Sequence, residues 1–136
     1  MNIFFAGAVR GGRAHQAKYP HVVEVLKKYG TVFSDHIADS EMTDFGETDL
    51  TKEEIHDREV TSLEKSDVVV AEVSTPSLGV GYIIAQGLNL GKRVVCLYHG
   101  SDTYKLSAMI KGNEKVEVYT YEEGDNLEEL VGKIFE

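Results

Sequence analysis

Short apolar runs alternate with stretches whose apolar residues recur at helical spacing, the pattern of a parallel sheet covered on both faces. Strands are expected near 2–7, 31–34, 67–73, 93–98 and 115–120. A first helix should open at Pro20, where the missing N–H costs nothing, and close at Gly30 as a left-handed cap. Val22, Val23, Val25, Leu26 and Tyr29 give it an apolar side. A second helix opens at Thr51 with Glu54 three residues on, a capping-box pattern, and turns Ile55 and Leu63 inward. A third, from about Gly79 to Leu90, is Gly-rich and mostly apolar, which implies burial against the sheet. The last starts near Asp125 and carries the stripe Leu127, Leu130, Val131 and Ile134. Five strands and five helical segments in this order, joined by right-handed crossovers, predict an α/β fold. The expected form is a doubly wound, flavodoxin-like (Rossmann-like) five-stranded parallel sheet whose ligands bind beyond the strands' carboxyl ends.

At 136 residues and 42% apolar content the sequence suits one domain spanning 1–136. The polar stretch from Asp35 to Leu50 is expected to be a lid or wall after the second strand. Its 23 acids against 14 bases give a net charge of −9, which opposes binding to a nucleic acid polymer but not to one small anion. Cys96 lies within Val94-Val95-Cys96-Leu97 and reads as a buried, reduced thiol. No long apolar run or leader-like segment stands out, so the expected location is the cytoplasm, with no membrane partner. The five histidines lack metal-ligand spacing with Cys or acids. No metal and no cofactor are expected.

Three places carry candidate chemistry. Gly7-Ala8-Val9-Arg10-Gly11-Gly12-Arg13 follows the first strand; its free N–H groups and arginines could cradle an anion, or it is a plain Gly-rich turn with solvated arginines. Ser77, with Gly79 and Gly81, starts the third helix, as an N-cap or as part of an anion site at the helix N-terminus. On the second helix Glu59 lies eight residues before Asp67, with His56 and Asp57 nearby. A carboxyl there could donate a proton if burial or a neighbouring negative charge raised its pKa, or it is solvated surface.

Phe4-Phe5-Ala6-Gly7-Ala8-Val9-Arg10-Gly11-Gly12-Arg13, Asp67-Val68-Val69-Val70-Ala71-Glu72-Val73, Pro76-Ser77-Leu78-Gly79-Val80-Gly81-Tyr82 and Ser107-Ala108-Met109-Ile110-Lys111-Gly112 together resemble the 2′-deoxynucleoside 5′-phosphate N-hydrolases. These are relatives of the nucleoside 2-deoxyribosyltransferases. The resemblance implies cleavage of the N-glycosidic bond of a deoxynucleoside 5′-monophosphate, giving free base and 2-deoxyribose 5-phosphate. It implies that Gly7, Ala8, Val9, Arg10, Gly11, Gly12, Ser77 and Gly79 hold the 5′-phosphate. Ser107 would reach a neighbouring subunit's site in a homodimer, and Met109 is either site wall or core. Glu59 falls where the family has its general-acid aspartate, with Asp57 close by. His36 either lines the base pocket or is a solvated loop residue.

The resemblance also exposes departures. Ile83 stands where the family has the glutamate that attacks C1′ in a retaining double displacement. An alkyl group has no lone pair to attack with. Phe4 replaces a tyrosine whose hydroxyl helps hold that glutamate, and a phenylalanine against an isoleucine packs without an orphaned hydroxyl. Ala8 replaces a serine. Two expectations of different class follow: an N-glycosidase with impaired or rerouted chemistry, or a nucleotide-binding protein that kept the phosphate site and lost catalysis.

Overall fold

A computed structural model describes residues 1–9, 18–38 and 48–136. Five strands, β1 (Asn2–Gly7), β2 (Thr31–Phe33), β3 (Val68–Glu72), β4 (Arg93–His99) and β5 (Val116–Tyr121), form one sheet in the order β2-β1-β3-β4-β5. Every pairing is parallel, with Phe4 opposite Phe33 and Val69, and Gly7 opposite Glu72. This is the flavodoxin-like order expected from the alternating pattern.

The helices are α1 (Tyr19–Leu26), α2 (Lys52–Glu64), α3 (Leu78–Asn89), α4 (Ala108–Lys111) and α5 (Leu127–Phe135), with a short 3-10 turn at Asp35–Ala38. The side chain of Thr51 and that of Glu54 cap α2 reciprocally, as the sequence predicts. Gly30 is not a left-handed cap, because α1 ends at Leu26 and a turn follows. Glycine is needed there for another reason: a Cβ at Gly30 would lie 2.1 Å from the Met1 carbonyl oxygen, where β2 starts beside β1. The left-handed glycine after a helix is instead Gly91, with φ 73°, just past α3. Residues 39–47 of the polar stretch after β2 lie outside the described residues.

Alternate residues of the strands feed two apolar layers. Ile3, Phe5, Val68, Val70, Val95 and Leu97 pack with Val22, Leu26, Val131 and Ile134 of α1 and α5. Phe4, Ala6, Val69, Ala71, Val94 and Cys96 pack with Leu63 of α2 and Val80 and Ile84 of α3. Each fully buried large side chain contributes roughly 1.5–3 kcal/mol, so both faces of the sheet are needed for stability. α5 buries its expected stripe, and Leu63 of α2 is fully buried, whereas Ile55 is only half-buried. α3 packs against the sheet as expected, through Val80, Ile84 and Gly87, but it also keeps a solvent face, with Leu78 96% exposed and Tyr82 46% exposed. Among the described residues no helix is long and apolar enough to cross a membrane.

Candidate active site

β1 and β3 lie side by side, but the chain leaves β1 toward β2 on one flank and β3 toward β4 on the other. Where connections diverge like this a crevice opens beyond the carboxyl ends of the strands, the usual ligand position in such sheets. Phe4 and Ile83, among the candidate residues, lie on the α2–α3 side of the sheet. Phe4 and Ala6 of β1 point to this side, and Ile83 of α3 and Phe33 of β2 are half-buried against the same apolar layer. Phe4 is 2% exposed. Phenylalanine at 4 and isoleucine at 83 thus share one hydrocarbon environment, where a carboxylate would lie against apolar side chains.

Glu59 sits at the edge of this region with its side chain only 16% exposed. Its Oε1 accepts from Arg58 at 2.9 Å and lies 3.2 Å from Nε2 of His36, and the hydroxyl of Ser34 donates to Oε2. Burial on its own would raise the carboxyl pKa. The hydrogen bonds from His36, Ser34 and Arg58 together outweigh it and hold Glu59 below the ordinary carboxylate range. The condition for a resting proton donor, a raised pKa, is therefore not met; Glu59 is an ionised carboxylate. Three of its roughly four acceptor positions are occupied, leaving about one for a ligand or water.

Sequence reasoning missed two members of this cluster. Ser34 follows β2 in a left-handed conformation, φ 62°, rare for a residue with a side chain. Such strain persists where the surroundings impose it, and here it accompanies the hydroxyl's contact with Glu59. Nothing in the sequence marks Ser34, since a serine after a strand is ordinary. Arg58 was legible only as the neighbour of Glu59; its guanidinium also lies 3.1 Å from Nε2 of His36. His36, its side chain 30% exposed, belongs to the Glu59 cluster rather than to open solvent. Asp57, by contrast, faces outward, 79% exposed and 3.0 Å from Nδ1 of His56, whose Nε2 is 3.3 Å from the Tyr82 hydroxyl. The fold does not bring Asp57 to Glu59.

At the start of α3, Ser77 is the N-cap: its Oγ accepts from the Val80 N–H at 3.2 Å. Its own hydroxyl hydrogen remains available to a ligand. A Cβ at Gly79 would meet only Ser77 Oγ at 3.9 Å, and one at Gly81 nothing within 4 Å. Packing therefore does not require glycine at either position, and both glycines leave open space at the helix start beside the exposed Leu78 side chain. Gly7 differs, because a Cβ there would lie 2.7 Å from the Tyr19 ring. Ala8 is fully buried, with its carbonyl 3.4 Å from the Tyr19 hydroxyl, and Val9 is half-buried. Arg10, Gly11, Gly12 and Arg13 lie outside the described residues.

Ser107 caps α4 by accepting from the Met109 N–H at 3.2 Å. Met109 is 84% exposed, so it is not core; it stands out from α4 while Leu106 and Ile110 pack inward. Cys96 is free and buried, and burial pushes its thiol up to about 12, so it is no nucleophile. No cluster of three metal-ligating side chains occurs among the described residues.

The sequence profile of the nucleoside 2-deoxyribosyltransferase family matches residues 3–128. The chain belongs to this family. Over 139 aligned residues it is 40% identical to 5-hydroxymethyl-dUMP N-hydrolase of Rattus norvegicus, covering 99% of this chain and 85% of that protein. The human protein of the same name is 38% identical, with 98% and 79% coverage. A putative 2′-deoxynucleoside 5′-phosphate N-hydrolase of Nematostella vectensis is 45% identical over 114 residues, 82% of this chain and 77% of that protein. The fold is similar to that of the CMP N-glycosidase BcmB of Clostridium botulinum, with a TM-score of 0.62 at 15% identity over 98% of this chain and 97% of that one. Family membership thus agrees with the resemblance carried by the four sequence motifs.

Proposed function

We propose that the protein is a 2′-deoxynucleoside 5′-monophosphate N-glycosidase, releasing free base and 2-deoxyribose 5-phosphate. The single observation behind this reading is near-full-length similarity to relatives named as deoxynucleoside-phosphate N-hydrolases. The geometry is compatible: Ser77 and open glycines stand at a helix start, and a clamped carboxylate lies on the same side of the switch-point crevice as Phe4 and Ile83. The phosphate would lie at Gly7, Ala8, Val9, Arg10, Gly11, Gly12, Ser77 and Gly79, with helix N–H groups and arginine meeting its charge. The base would lie toward His36 and Glu59.

Ile83 excludes a covalent glycosyl intermediate at position 83. In the remaining route water attacks C1′ directly. Ionised Glu59 takes a proton from that water as the bond between C1′ and the base nitrogen breaks, and the proton then passes to the departing base. Without a nucleophile this is slow chemistry. The specific observation favouring the second reading, a binder without catalysis, is the packing of Ile83 and Phe4 into one apolar layer.

The active form in this reading is a cytoplasmic homodimer in which Ser107 reaches the partner's phosphate. Met109, two residues from Ser107, is exposed and free to meet a second copy. Nucleic acid polymers and membranes are not partners.

Two measurements test the proposal. Calorimetry should show tighter binding of a deoxynucleoside monophosphate than of its nucleoside; equal or absent binding removes the phosphate site. Chromatography after long incubation with a panel of deoxynucleotides should detect free base, and binding without any base release would establish the second reading.

A further inference from the structure

Glu72 is the one acidic side chain among the described residues that is wholly buried, and the proposed chemistry does not use it. It ends β3 opposite Gly7 of β1 and Leu97 of β4. Strand alternation puts Glu72 on the α1–α5 side with Val68 and Val70, whereas Phe4, Ala6 and Ile83 lie on the other side of the sheet. It cannot stand in for the missing nucleophile, because the sheet separates the two.

Its contacts show another role. One oxygen accepts from the Ser74 N–H at 2.7 Å, and the other accepts from the Tyr121 hydroxyl of β5. Burial, and then the Glu72 charge, push the Tyr121 hydroxyl up, so it stays protonated and donates. The Ser74 Oγ in turn accepts from the His99 N–H at 2.8 Å, at the end of β4. Ser74 is the second residue past β3 and lies three residues before Ser77. It is therefore pinned twice at the point where the chain leaves the sheet for the proposed phosphate site, once through its N–H and once through its hydroxyl.

We propose that Glu72 is a positioning residue for phosphate recognition: by fixing Ser74 against β4 and β5, it sets where Ser77 and the first N–H groups of α3 meet the ligand's phosphate. This rests on the reading of the α3 start as a phosphate subsite. Two physical effects of Glu72 have opposite signs, which makes the role measurable. As a through-space charge, a buried carboxylate repels phosphate, and neutralising it would tighten nucleotide binding. As a support for the turn it favours phosphate, and neutralising it would loosen nucleotide binding. A contribution to global stability alone would change nucleoside and nucleotide affinities equally.

The test uses the full chain and calorimetry with the four common deoxynucleoside monophosphates and their nucleosides. Glu72→Gln keeps the shape but exchanges the charged acceptor pair for one acceptor and one donor, so the Ser74 N–H loses its charge-assisted bond and the Tyr121 hydroxyl must turn. The ratio of nucleotide to nucleoside affinity should fall about 10-fold, with nucleoside affinity unchanged. Tyr121→Phe keeps the charge and the Ser74 N–H bond to Glu72, but removes the tyrosine hydroxyl's bonds to Glu72 and to the Ser74 side chain, and should lower the ratio in the same direction. If Glu72→Gln does not fold, the Tyr121→Phe ratio carries the test. An unchanged or increased ratio in the folded variants overturns the positioning role alone. Absence of phosphate preference in the unaltered protein overturns the phosphate subsite, and this role with it.

Discussion

Restoring a carboxylate at position 83 tests whether Phe4 and Ile83 are two halves of one change. Ile83→Glu replaces a half-buried alkyl chain by a carboxylate packed against the apolar layer that contains Phe4. The lost apolar burial costs roughly 1–2 kcal/mol for a partly exposed isoleucine. A carboxylate without a donor adds about 1–3 kcal/mol. Phe4→Tyr alone places a hydroxyl in the same layer, with a similar penalty of about 1–3 kcal/mol. Together the new hydroxyl can donate to the new carboxylate, a charge-assisted bond worth about 1.5–3 kcal/mol. The double variant should therefore be more stable than the sum of the two singles by about 1–3 kcal/mol, read from urea denaturation of all four proteins at pH 7. Base release should rise with the nucleophile, toward the roughly 10⁴- to 10⁶-fold that such groups supply in other covalent enzymes. A coupling within about 0.5 kcal/mol of zero would show that residues 4 and 83 do not meet. A double variant that folds and binds nucleotide yet releases no more base would show that the rest of the machinery has diverged too.

Glu59 has a depressed pKa in the folded protein, so its stabilising contribution is present above the unfolded value, near 4.5, and is lost as pH falls through the folded one. The stability gap between the unaltered protein and Glu59→Gln should be largest near neutral pH and shrink below that range. A gap that widens on acidification would contradict the hydrogen-bonded carboxylate. Gly79→Ala should raise stability by a few tenths to about 1 kcal/mol, since the site is open and helical, while weakening nucleotide binding if the ligand approaches the backbone there. Thermal melts and calorimetry on the same sample separate the two effects, and unaltered affinity would move the phosphate elsewhere. Cys96, buried with its thiol pushed up to about 12, should resist alkylation at pH 8 in the native protein and react fully in urea. Rapid native labelling would contradict its burial.

Much of the fold was legible along the chain. The five strands, the capping box at Thr51 and Glu54 and the stripe of α5 depend on local spacing, and the structure places them within a few residues of where the sequence does. The end of α1 was not legible in this way. Gly30 looks like a helix cap from its neighbours, but its need for a hydrogen side chain comes from Met1, 29 residues earlier. The candidate site divides similarly. Ser77 is an N-cap, the local role its sequence position suggests, Ser107 caps α4 without having been marked for it, and Ile83 is packed with the layer that holds Phe4. Asp57, next but one to Glu59 in sequence, points elsewhere, since two residues along a helix is more than half a turn.

By itself the sequence determined the class of sheet, the family and the absence of a carboxylate at position 83, because periodicity, motif and residue identity are properties of the chain alone. Only the tertiary structure decided that Glu59 is held ionised and that Glu72 lies across the sheet from Ile83. A carboxyl group's protonation depends on donors brought from β2's far end and from its own helix, and the face a strand residue occupies is fixed by register with its neighbours. Neither the donors nor the register is written beside the residue it controls.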